Sequence, residues 1–465
     1  MNLQQLYTNC LAQGAYYVSS NGEAAIVDPL RETGPYLDLL RKNGDKLKYV
    51  FETHFHADFV SGHVDLAAET GATIVFGPGA STTYSSHVAK DGEVFRLGNV
   101  GIRVLHTPGH TPESSCFLLY DEKGTEQAVF TGDTLFIGDV GRPDLAIKSD
   151  LTQEDLAGML YDSLRDKIMP LPDHVIVYPA HGAGSACGKN MSKETSDTLG
   201  NQKKTNYALS AISRQDFIKE LTTGILPPPQ YFAKNAALNK DGYKKYSEVM
   251  SGGMVALSPV KFDELSRQKG TLILDVRKPG EFATAHLPGS VFIGLDGQFA
   301  PWVGAVIPSL DTPILLVAPA GREEEAVMRL SRVGYDNCRG YLEGGVDAWA
   351  KAGKKIEMVE SITADEFMSR YRKGGKTLDV RKPGEFESGH LAHAQTFPLD
   401  FINQNLQQLE KGRPYLVHCQ GGYRSMIAVS LMKAAGVHNV TDVQGGYGAI
   451  SKIAAEKEKE HGAVA

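Results

Sequence analysis

The stretch THFHADFVSGH, residues 53–63, decides how the rest of the chain is interpreted. Within it His54 and His56 flank a single residue, and Asp58 follows two positions later. An apolar run at 47–51 precedes this cluster and predicts a buried strand, so the polar residues stand where a strand ends and a helix begins. Strand ends of α/β sheets are where metals and small ligands are bound. The stretch therefore predicts an α/β fold with a metal site at one edge of its sheet.

The composition is that of a globular protein with several domains. The chain has 465 residues, of which 42% are apolar and 22% charged, and this length predicts two to four domains. The formal net charge of -7 argues against nucleic-acid binding. No apolar run approaches the ~20 residues that cross a bilayer, and residues 1–7 lack the features of a signal peptide. The five cysteines are too widely spaced for a disulfide framework. We expect a cytoplasmic protein that binds neither nucleic acid nor membrane.

An internal repeat divides the second half of the chain. The segment LILDVRKPGEF at 272–282 recurs as KTLDVRKPGEF at 376–386, and a Gly-Gly pair closes each copy at 344–345 and 445–446. Two copies of about 100 residues predict two similar α/β domains. A Ser-Gly-Gly segment at 251–253 predicts the boundary before the first copy. The predicted domains are 1–250, 251–356 and 357–465.

Three further polar positions in the first domain each follow an apolar run. They are His110 in TPGHTP, Asp133 in TGD and His181 in YPAH. Loops at one end of a sheet converge although they are distant in sequence, and imidazole and carboxylate ligands suit zinc and iron alike. The predicted metal cluster comprises His54, His56, Asp58, His110, Asp133 and His181.

This order of ligands resembles the motif of the metallo-β-lactamase fold, the fold of glyoxalase II and of the persulfide dioxygenases. The resemblance implies an αββα sandwich. Phe59 stands where the dinuclear hydrolases of this fold have another histidine ligand, which favours one metal over two. The mononuclear persulfide dioxygenases hold Fe(II) with two histidines and one aspartate, which correspond here to His54, His110 and Asp133. The resemblance thus implies one Fe(II) per chain, with His56, Asp58 and His181 orienting ligands and bound water.

Three more residues of the first domain are candidates for substrate contact. Arg142 lies in GDVGRPD, which resembles a Gly-Arg-x-Asp segment of glyoxalase II and the persulfide dioxygenases; an ion pair with Asp144 is an equally good interpretation. Cys187 lies in a glycine-rich loop just after the last predicted ligand, and is either a reactive thiol or a small buried one. Tyr178 precedes the same ligand.

The third domain contains a second candidate site in YLVHCQGGYRS, residues 415–425. Cys419 ends an apolar strand, and the loop opens a helix whose N-terminus and backbone N–H groups favour a thiolate. Arg424 adds charge that suits an oxyanion. The repeat, the terminal Gly-Gly and this loop resemble the rhodanese family of sulfurtransferases, and the six-residue loop is one residue shorter than in related phosphatases. The loop residues expected to contact substrate are Gln420, Gly421, Gly422, Tyr423 and Ser425.

The second domain departs from the rhodanese pattern at the same place. Its segment reads LLVAPAGREEE at 315–325, so that Ala318 stands where the nucleophile should be. Arg322 is retained but cannot carry sulfur. We predict an inactive domain that serves as a spacer or docking surface.

Together these motifs resemble the bacterial fusions of a persulfide dioxygenase with two rhodanese domains that detoxify sulfide. The resemblance implies oxidation of a low-molecular-weight thiol persulfide, of the glutathione or coenzyme A type, by O₂ to sulfite. Cys419 would transfer sulfane sulfur to or from sulfite and thiosulfate. We also expect a homo-oligomer. One alternative is a zinc thioester hydrolase like glyoxalase II fused to a rhodanese; another is a sulfur carrier or sensor.

Overall fold

The computed structural model describes residues 1–145, 151–225 and 227–453. It forms two compact units, one of residues 1–246 with 331–334, and one of the remaining residues from 247 onward. Among the described residues, none of the helices combines the length and the apolar character that crossing a bilayer requires. The cytoplasmic location and the homo-oligomeric state stay predictions.

The first unit contains two six-stranded sheets. In the first sheet, strands β1 to β6 follow one another in chain order, antiparallel up to β3 and parallel from β3 onward. The second sheet has the order β12-β11-β10-β9-β8-β7, and only β10 and β11 are parallel neighbours. The strands are β1 Asn2–Thr8, β2 Gln13–Ser20, β3 Glu23–Val27, β4 Lys46–Glu52, β5 Thr73–Phe76, β6 His87–Val88, β7 Val94–Leu97, β8 Val100–His106, β9 Ser115–Tyr120, β10 Glu126–Gly132, β11 Ile176–Pro179 and β12 Asp197–Thr198.

Helices cover the outer faces of both sheets. The helices of this unit and of the passage to the next are α1 Gly34–Asn43, α2 His63–Thr70, α3 Gln153–Ser163, α4 Leu199–Thr205, α5 Arg214–Thr222, α6 Phe232–Asp241 and α7 Tyr246–Gly253. Apolar side chains from the facing sides of the two sheets, such as Phe51 and Phe130, form a shared core. Tyr36 of α1 and Leu66 of α2 pack on one outer face, and Phe217 of α5 packs on the other. The predicted αββα sandwich is confirmed.

The strands that lead to the predicted ligands point to the same edge. β3 and β4 are parallel, and β8 runs in the direction of β10 because both are antiparallel to β9. β11 is parallel to β10. Each of these strands ends shortly before a predicted ligand or, for β3, before Asp28. The sandwich therefore delivers five polar loops to one place.

The second unit contains two five-stranded parallel sheets of matching order. These are β13-β17-β16-β14-β15 and β18-β22-β21-β19-β20, so the sequence repeat is a repeat of fold. The strands are β13 Ala256–Leu257, β14 Leu272–Asp275, β15 Val291–Phe292, β16 Ile314–Val317, β17 Cys338–Leu342, β18 Glu360–Ile362, β19 Thr377–Asp379, β20 Ala394–Thr396, β21 Tyr415–His418 and β22 Val440–Val443. The helices are α8 Pro259–Ser266, α9 Pro279–Thr284, α10 Phe299–Val306, α11 Glu323–Arg332, α12 Gly345–Lys351, α13 Ala364–Arg372, α14 Pro383–Glu387, α15 Ile402–Asn405 and α16 Tyr423–Ala434.

The Ser-Gly-Gly segment at 251–253 differs from its predicted role as a loop at the boundary. It forms the last turn of α7. A Cβ at Gly253 would meet the side chain of Val327, so this glycine serves close packing. The three domain ranges stay predictions, and residues 454–465 of the third lie outside the described part of the chain.

Candidate metal centre and sulfur-transfer loop

Three predicted ligands from three different loops meet at the edge of the sandwich. His54, His110 and Asp133 each offer one donor atom, and these atoms lie within 4.8 Å of one another. Nε2 of His110 is 3.5 Å from Oδ2 of Asp133, and the two imidazole rings stand edge to face with centroids 4.9 Å apart. All three side chains are buried. Two imidazoles and one carboxylate form the donor set of non-haem Fe(II) sites, and zinc accepts the same set.

Hydrogen bonds present the Nε2 atoms of both histidines to this cluster. Nδ1 of His110 is 2.8 Å from the carbonyl oxygen of Arg142, which can only accept a proton. Nδ1 of His54 is 3.0 Å from Oγ1 of Thr53. That hydroxyl donates its single proton to Oδ2 of Asp28 over 2.8 Å, so it accepts from His54. In both histidines Nδ1 carries the proton and Nε2 is left for a metal.

The Asp133 carboxylate indicates that the cluster fits a cation. Both of its oxygens are buried and neither has a hydrogen-bond partner. Burying a charged carboxylate that lacks hydrogen-bond partners costs several kcal/mol, and Nε2 of His181 stays 3.7 Å from Oδ1 of Asp133, beyond hydrogen-bond distance. Burial, reinforced by the neighbouring imidazoles, holds the pKa of His54 well below its usual value, so that this ring is neutral and able to ligate. A divalent metal would satisfy the carboxylate and both Nε2 atoms.

A second group of potential ligands lies beside the first. His56, Asp58 and His181 also offer atoms within 4.8 Å of one another, and Nε2 of His181 is 3.5 Å from Oδ2 of Asp58. Burial opposes protonation of His181, but the charges of Asp58 and Asp133 outweigh it and raise the pKa of His181 to about 9. From the sequence alone, only Asp58 and His181 were expected at this position. The structure adds His56, so three potential ligands remain there.

Phe59 occupies the place beside this second group. Its ring is fully buried and packs against the ring of His56, with centroids 4.3 Å apart and planes tilted by 31°. The ring of His181 is 6.3 Å away. Carbon therefore fills the volume in which another imidazole would supply a ligand, while Nε2 of His56 faces Oδ1 of Asp28 at 3.1 Å.

Asp28 is a member of the centre that the sequence argument missed. It follows β3 with a positive φ of 49°, and its carboxylate accepts both the N–H and the hydroxyl of Thr53 at 2.8 Å. Glu52 lies in the same buried layer, where desolvation and the charge of Asp28 raise its pKa well above the usual value. The available signal was an Asp-Pro pair directly after an apolar run, but that pair also indicates a simple turn.

The three candidates for substrate contact in the first domain have different surroundings. The Arg142 guanidinium pairs with Asp144 at 2.6 and 2.7 Å and donates to the carbonyl of Ala186. The Tyr178 ring packs against Tyr16 and Phe130 in the core between the sheets. These contacts are structural ones, and the substrate contacts of both residues stay predictions.

Cys187 is the third candidate, and it borders the metal cluster. Its sulfur lies within 4.8 Å of donor atoms of Asp133 and His181. Burial, with the charges of Asp58 and Asp133, raises the pKa of Cys187 well above the usual value. Its role also stays a prediction.

In the third domain, Cys419 follows β21 and begins the loop that leads into α16. The Gly422 N–H donates to its sulfur over 3.1 Å, and Gly422 adopts a φ of 100°, which favours glycine. The thiol is buried, with 1% of the residue exposed. The loop thus directs a backbone donor at the position where negative charge on sulfur would develop.

Side chains around this loop are anchored by partners distant in sequence. Arg424 forms a two-bond ion pair with Glu385 at 2.6 and 2.8 Å, and Ser425 donates to Asp442. Arg381 stacks on the ring of Tyr447 at 3.9 Å. The sequence argument missed Glu385, Arg381 and Asp442, although the first two lie in the repeated segment.

The second domain lacks this arrangement at its equivalent position. Ala318 follows β16 as Cys419 follows β21. Arg322 binds Asp296 and Glu325 at 2.7 and 2.6 Å. The Arg322 guanidinium is thus paired with two carboxylates of the second domain, and Ala318 provides no thiol at the position of the nucleophile.

Comparison with known proteins agrees with this division. The family model "Metallo-beta-lactamase superfamily" matches residues 9–181, and "Rhodanese-like domain" matches 258–352 and 363–453. The human mitochondrial persulfide dioxygenase ETHE1 is 31% identical over 210 residues, 45% of this chain and 74% of that protein. A hydroxyacylglutathione hydrolase of Methylococcus capsulatus is 37% identical over 163 residues, 35% of this chain but only 58% of that protein. The crystal structure of a metallo-β-lactamase from Staphylococcus aureus is 30% identical with a TM-score of 0.65, covering 74% of this chain and 98% of that one.

Proposed function

The chain belongs to the metallo-β-lactamase superfamily and carries two rhodanese-like domains after that fold, and on this basis we propose that it couples persulfide oxidation to sulfur transfer. The substrate of the first reaction is a low-molecular-weight thiol persulfide, which O₂ and water convert to the thiol and sulfite. The observation that carries the proposal is the convergence of His54, His110 and the unpartnered carboxylate of Asp133. One Fe(II) per chain is the proposed metal.

The residues around the proposed metal have separate tasks. His54, His110 and Asp133 would hold Fe(II), which supplies the redox chemistry between a persulfide sulfur and O₂. Thr53 and the carbonyl of Arg142 fix the two imidazoles by their Nδ1 protons. Phe59, whose buried ring packs against His56, would occupy the volume of a further ligand at the second position. His181, with Nε2 3.7 Å from Oδ1 of Asp133, would orient that carboxylate and bound water.

The proposed sulfur transfer uses the loop of the third domain that begins at Cys419. The Cys419 thiolate attacks the sulfane sulfur of a persulfide, an S–S bond to Cys419 forms, and the organic thiolate leaves. Sulfite then attacks the outer sulfur, which releases thiosulfate and restores the thiolate. The Gly422 N–H stabilises charge on Cys419 in both steps. Each step is also possible in reverse, so thiosulfate can load the cysteine.

The experiment is oxygen uptake by protein purified and loaded with Fe(II) under anaerobic conditions. With glutathione persulfide we expect oxygen consumption matched by sulfite, and thiosulfate in addition when sulfite and persulfide are both supplied. Replacing Cys419 with Ser should abolish thiosulfate formation and leave oxygen uptake unchanged. Replacing Asp133 with Asn should abolish oxygen uptake and leave thiosulfate formation from supplied sulfite and persulfide unchanged. Oxygen uptake that is absent in every metal form would refute the proposal.

A zinc thioester hydrolase is the second candidate, because His56, Asp58 and His181 keep a possible second metal position. It predicts hydrolysis of a glutathione thioester without oxygen uptake, by a metal-activated water. Assaying both substrates on the same preparations separates the two candidates. Hydrolysis of the thioester by the zinc form, together with no persulfide oxidation by the iron form, would decide for the hydrolase.

A further inference from the structure

A cavity of about 620 Å³ opens beside the sulfur-transfer loop, between the second and third domains. Helix α9 of the inactive domain forms one wall, from Pro279 to Thr284. Gly421 and Gly422 of the loop and Tyr423 at the start of α16 also line the cavity, together with residues that connect the two domains and residues at the end of β22. Cavities of this size bind small organic ligands.

The cavity lies next to the nucleophile. Gly422 lines it, and the Gly422 N–H donates to the Cys419 sulfur over 3.1 Å. A Cβ added at Gly421, which also lines the cavity, would meet no atom within 4 Å. A donor whose outer sulfur meets Cys419 would therefore have this cavity beside it for its organic body.

The walls combine apolar surface with one acidic group. Met358, Val359 and Met426 supply apolar atoms. Asp442 supplies a carboxylate that accepts hydrogen bonds from Ser425 at 2.6 Å and Ser361 at 3.0 Å. Burial raises the pKa of Asp442 to about 6, so it is largely ionised at pH 7. A charged carboxylate held in a mixed wall suits a protonated amine.

We propose that this cavity binds the organic body of the persulfide that donates sulfur to Cys419, and that this donor is a small thiol carrying an ammonium group. Helix α9 of the second domain would then form part of the binding site of the third domain. The inference rests on the proposed sulfur transfer at Cys419. The thiol released by that transfer leaves from the cavity.

The test introduces a large side chain into the cavity from the second domain. Gly280 lies in α9 and lines the cavity, and a Cβ there would meet no atom within 4 Å. In the full chain, Gly280→Leu should raise KM for glutathione persulfide about tenfold or more at little change in kcat. Sulfur transfer from thiosulfate to cyanide should be unchanged, because thiosulfate has no organic body to place in the cavity.

Gly412→Leu is the matched control. Gly412 is exposed and comes shortly before β21 begins, whereas Cys419 follows the other end of that strand. A Cβ at Gly412 would also meet no atom within 4 Å. Both kinetic constants should stay at the level of the unaltered chain. An unchanged KM for glutathione persulfide in Gly280→Leu would overturn the inference, as would an equal loss with both sulfur donors.

Asp442→Asn tests the ammonium group. It should raise KM for glutathione persulfide by a larger factor than KM for 3-mercaptopropionate persulfide, which has no amine, because any displacement of Ser425, which Asp442 holds, affects both donors alike. Equal effects on both donors would overturn this part of the inference. If the unaltered chain transfers sulfur from no donor at all, the proposed function itself is refuted, which distinguishes the two failures.

Discussion

The hydroxyl of Tyr423 donates a hydrogen bond of 2.7 Å to the carbonyl oxygen of Gly294. Tyr423 begins α16 directly after the sulfur-transfer loop, whereas Gly294 belongs to the domain without a nucleophile. The Tyr423 ring also covers Gly297, where a Cβ would overlap it. The loop that carries Cys419 is thus held in part by the second domain, which has Ala318 at the position of the nucleophile.

Replacing Tyr423 with Phe should remove this bond and keep the ring contacts. We expect a loss of about 1 kcal/mol in the free energy of unfolding of the second unit and a severalfold lower rate of sulfur transfer. Urea unfolding and thiosulfate formation measure the two effects. Tyr335→Phe is the matched control, because the Tyr335 hydroxyl donates to Ile307 within the inactive domain at 2.6 Å. Tyr335→Phe should lower the free energy of unfolding to a similar extent without slowing sulfur transfer. Equal slowing in both variants would contradict a specific role of the Tyr423 hydroxyl in positioning the loop.

Thr53 is expected to control the affinity for metal without touching it. Thr53→Val removes the hydroxyl that accepts from His54 and donates to Asp28, so the imidazole loses its fixed orientation. Iron affinity should fall about 10- to 100-fold, measured by competition with a chelator. Thr53→Ser keeps the hydroxyl and should restore most of the affinity. Equal affinity in the Val and Ser variants would show that the hydroxyl has no such role.

Asp58 distinguishes one metal from two. If the proposed single site is right, protein purified without oxygen contains about one iron per chain, and Asp58→Ala keeps it, whereas Asp133→Asn loses it. Metal analysis by mass spectrometry gives the result directly. A fall from about two metals to one in Asp58→Ala would establish a dinuclear centre instead.

Phe59→His should create the ligand that the second position lacks. His56, Asp58 and His181 already stand within 4.8 Å of one another, and the new imidazole would occupy the volume of the present ring. Zinc content should rise toward about two per chain. Phe59→Leu fills the volume without a donor atom and should leave the content unchanged. An identical content in the His and Leu variants would mean that Phe59 is not what limits metal binding.

The sequence predicted the loops of the proposed ligands because each of these residues comes shortly after an apolar run. The strands formed by these runs end at the same edge of the sandwich, which brings the loops together. The sequence could not predict Asp28, since an Asp-Pro pair at a strand end also satisfies a turn. It undercounted the second position, because the approach of His56 to His181 depends on how two loops pack. Glu385 was missed for a similar reason: its partner Arg424 lies in a different segment, and only folding brings the two charges together.

The role of a glycine also depends on tertiary packing, which the sequence does not show. Three residues at 251–253 have the composition of a linker, but Gly253 lies in a helix against Val327. Composition alone does not distinguish a glycine that provides backbone flexibility from one that allows close packing because it has no side chain.

Ala318 changes what the duplicated fold can do. A tandem repeat with two intact thiols would be two independent catalysts, each open to change without effect on the other. Gly294 and Gly297 of the copy without the nucleophilic thiol contact Tyr423, and Gly280 lines the proposed donor cavity. We therefore expect substitutions at these three positions to alter the proposed sulfur transfer at Cys419, so that the choice of sulfur donor can change without any change to the nucleophile.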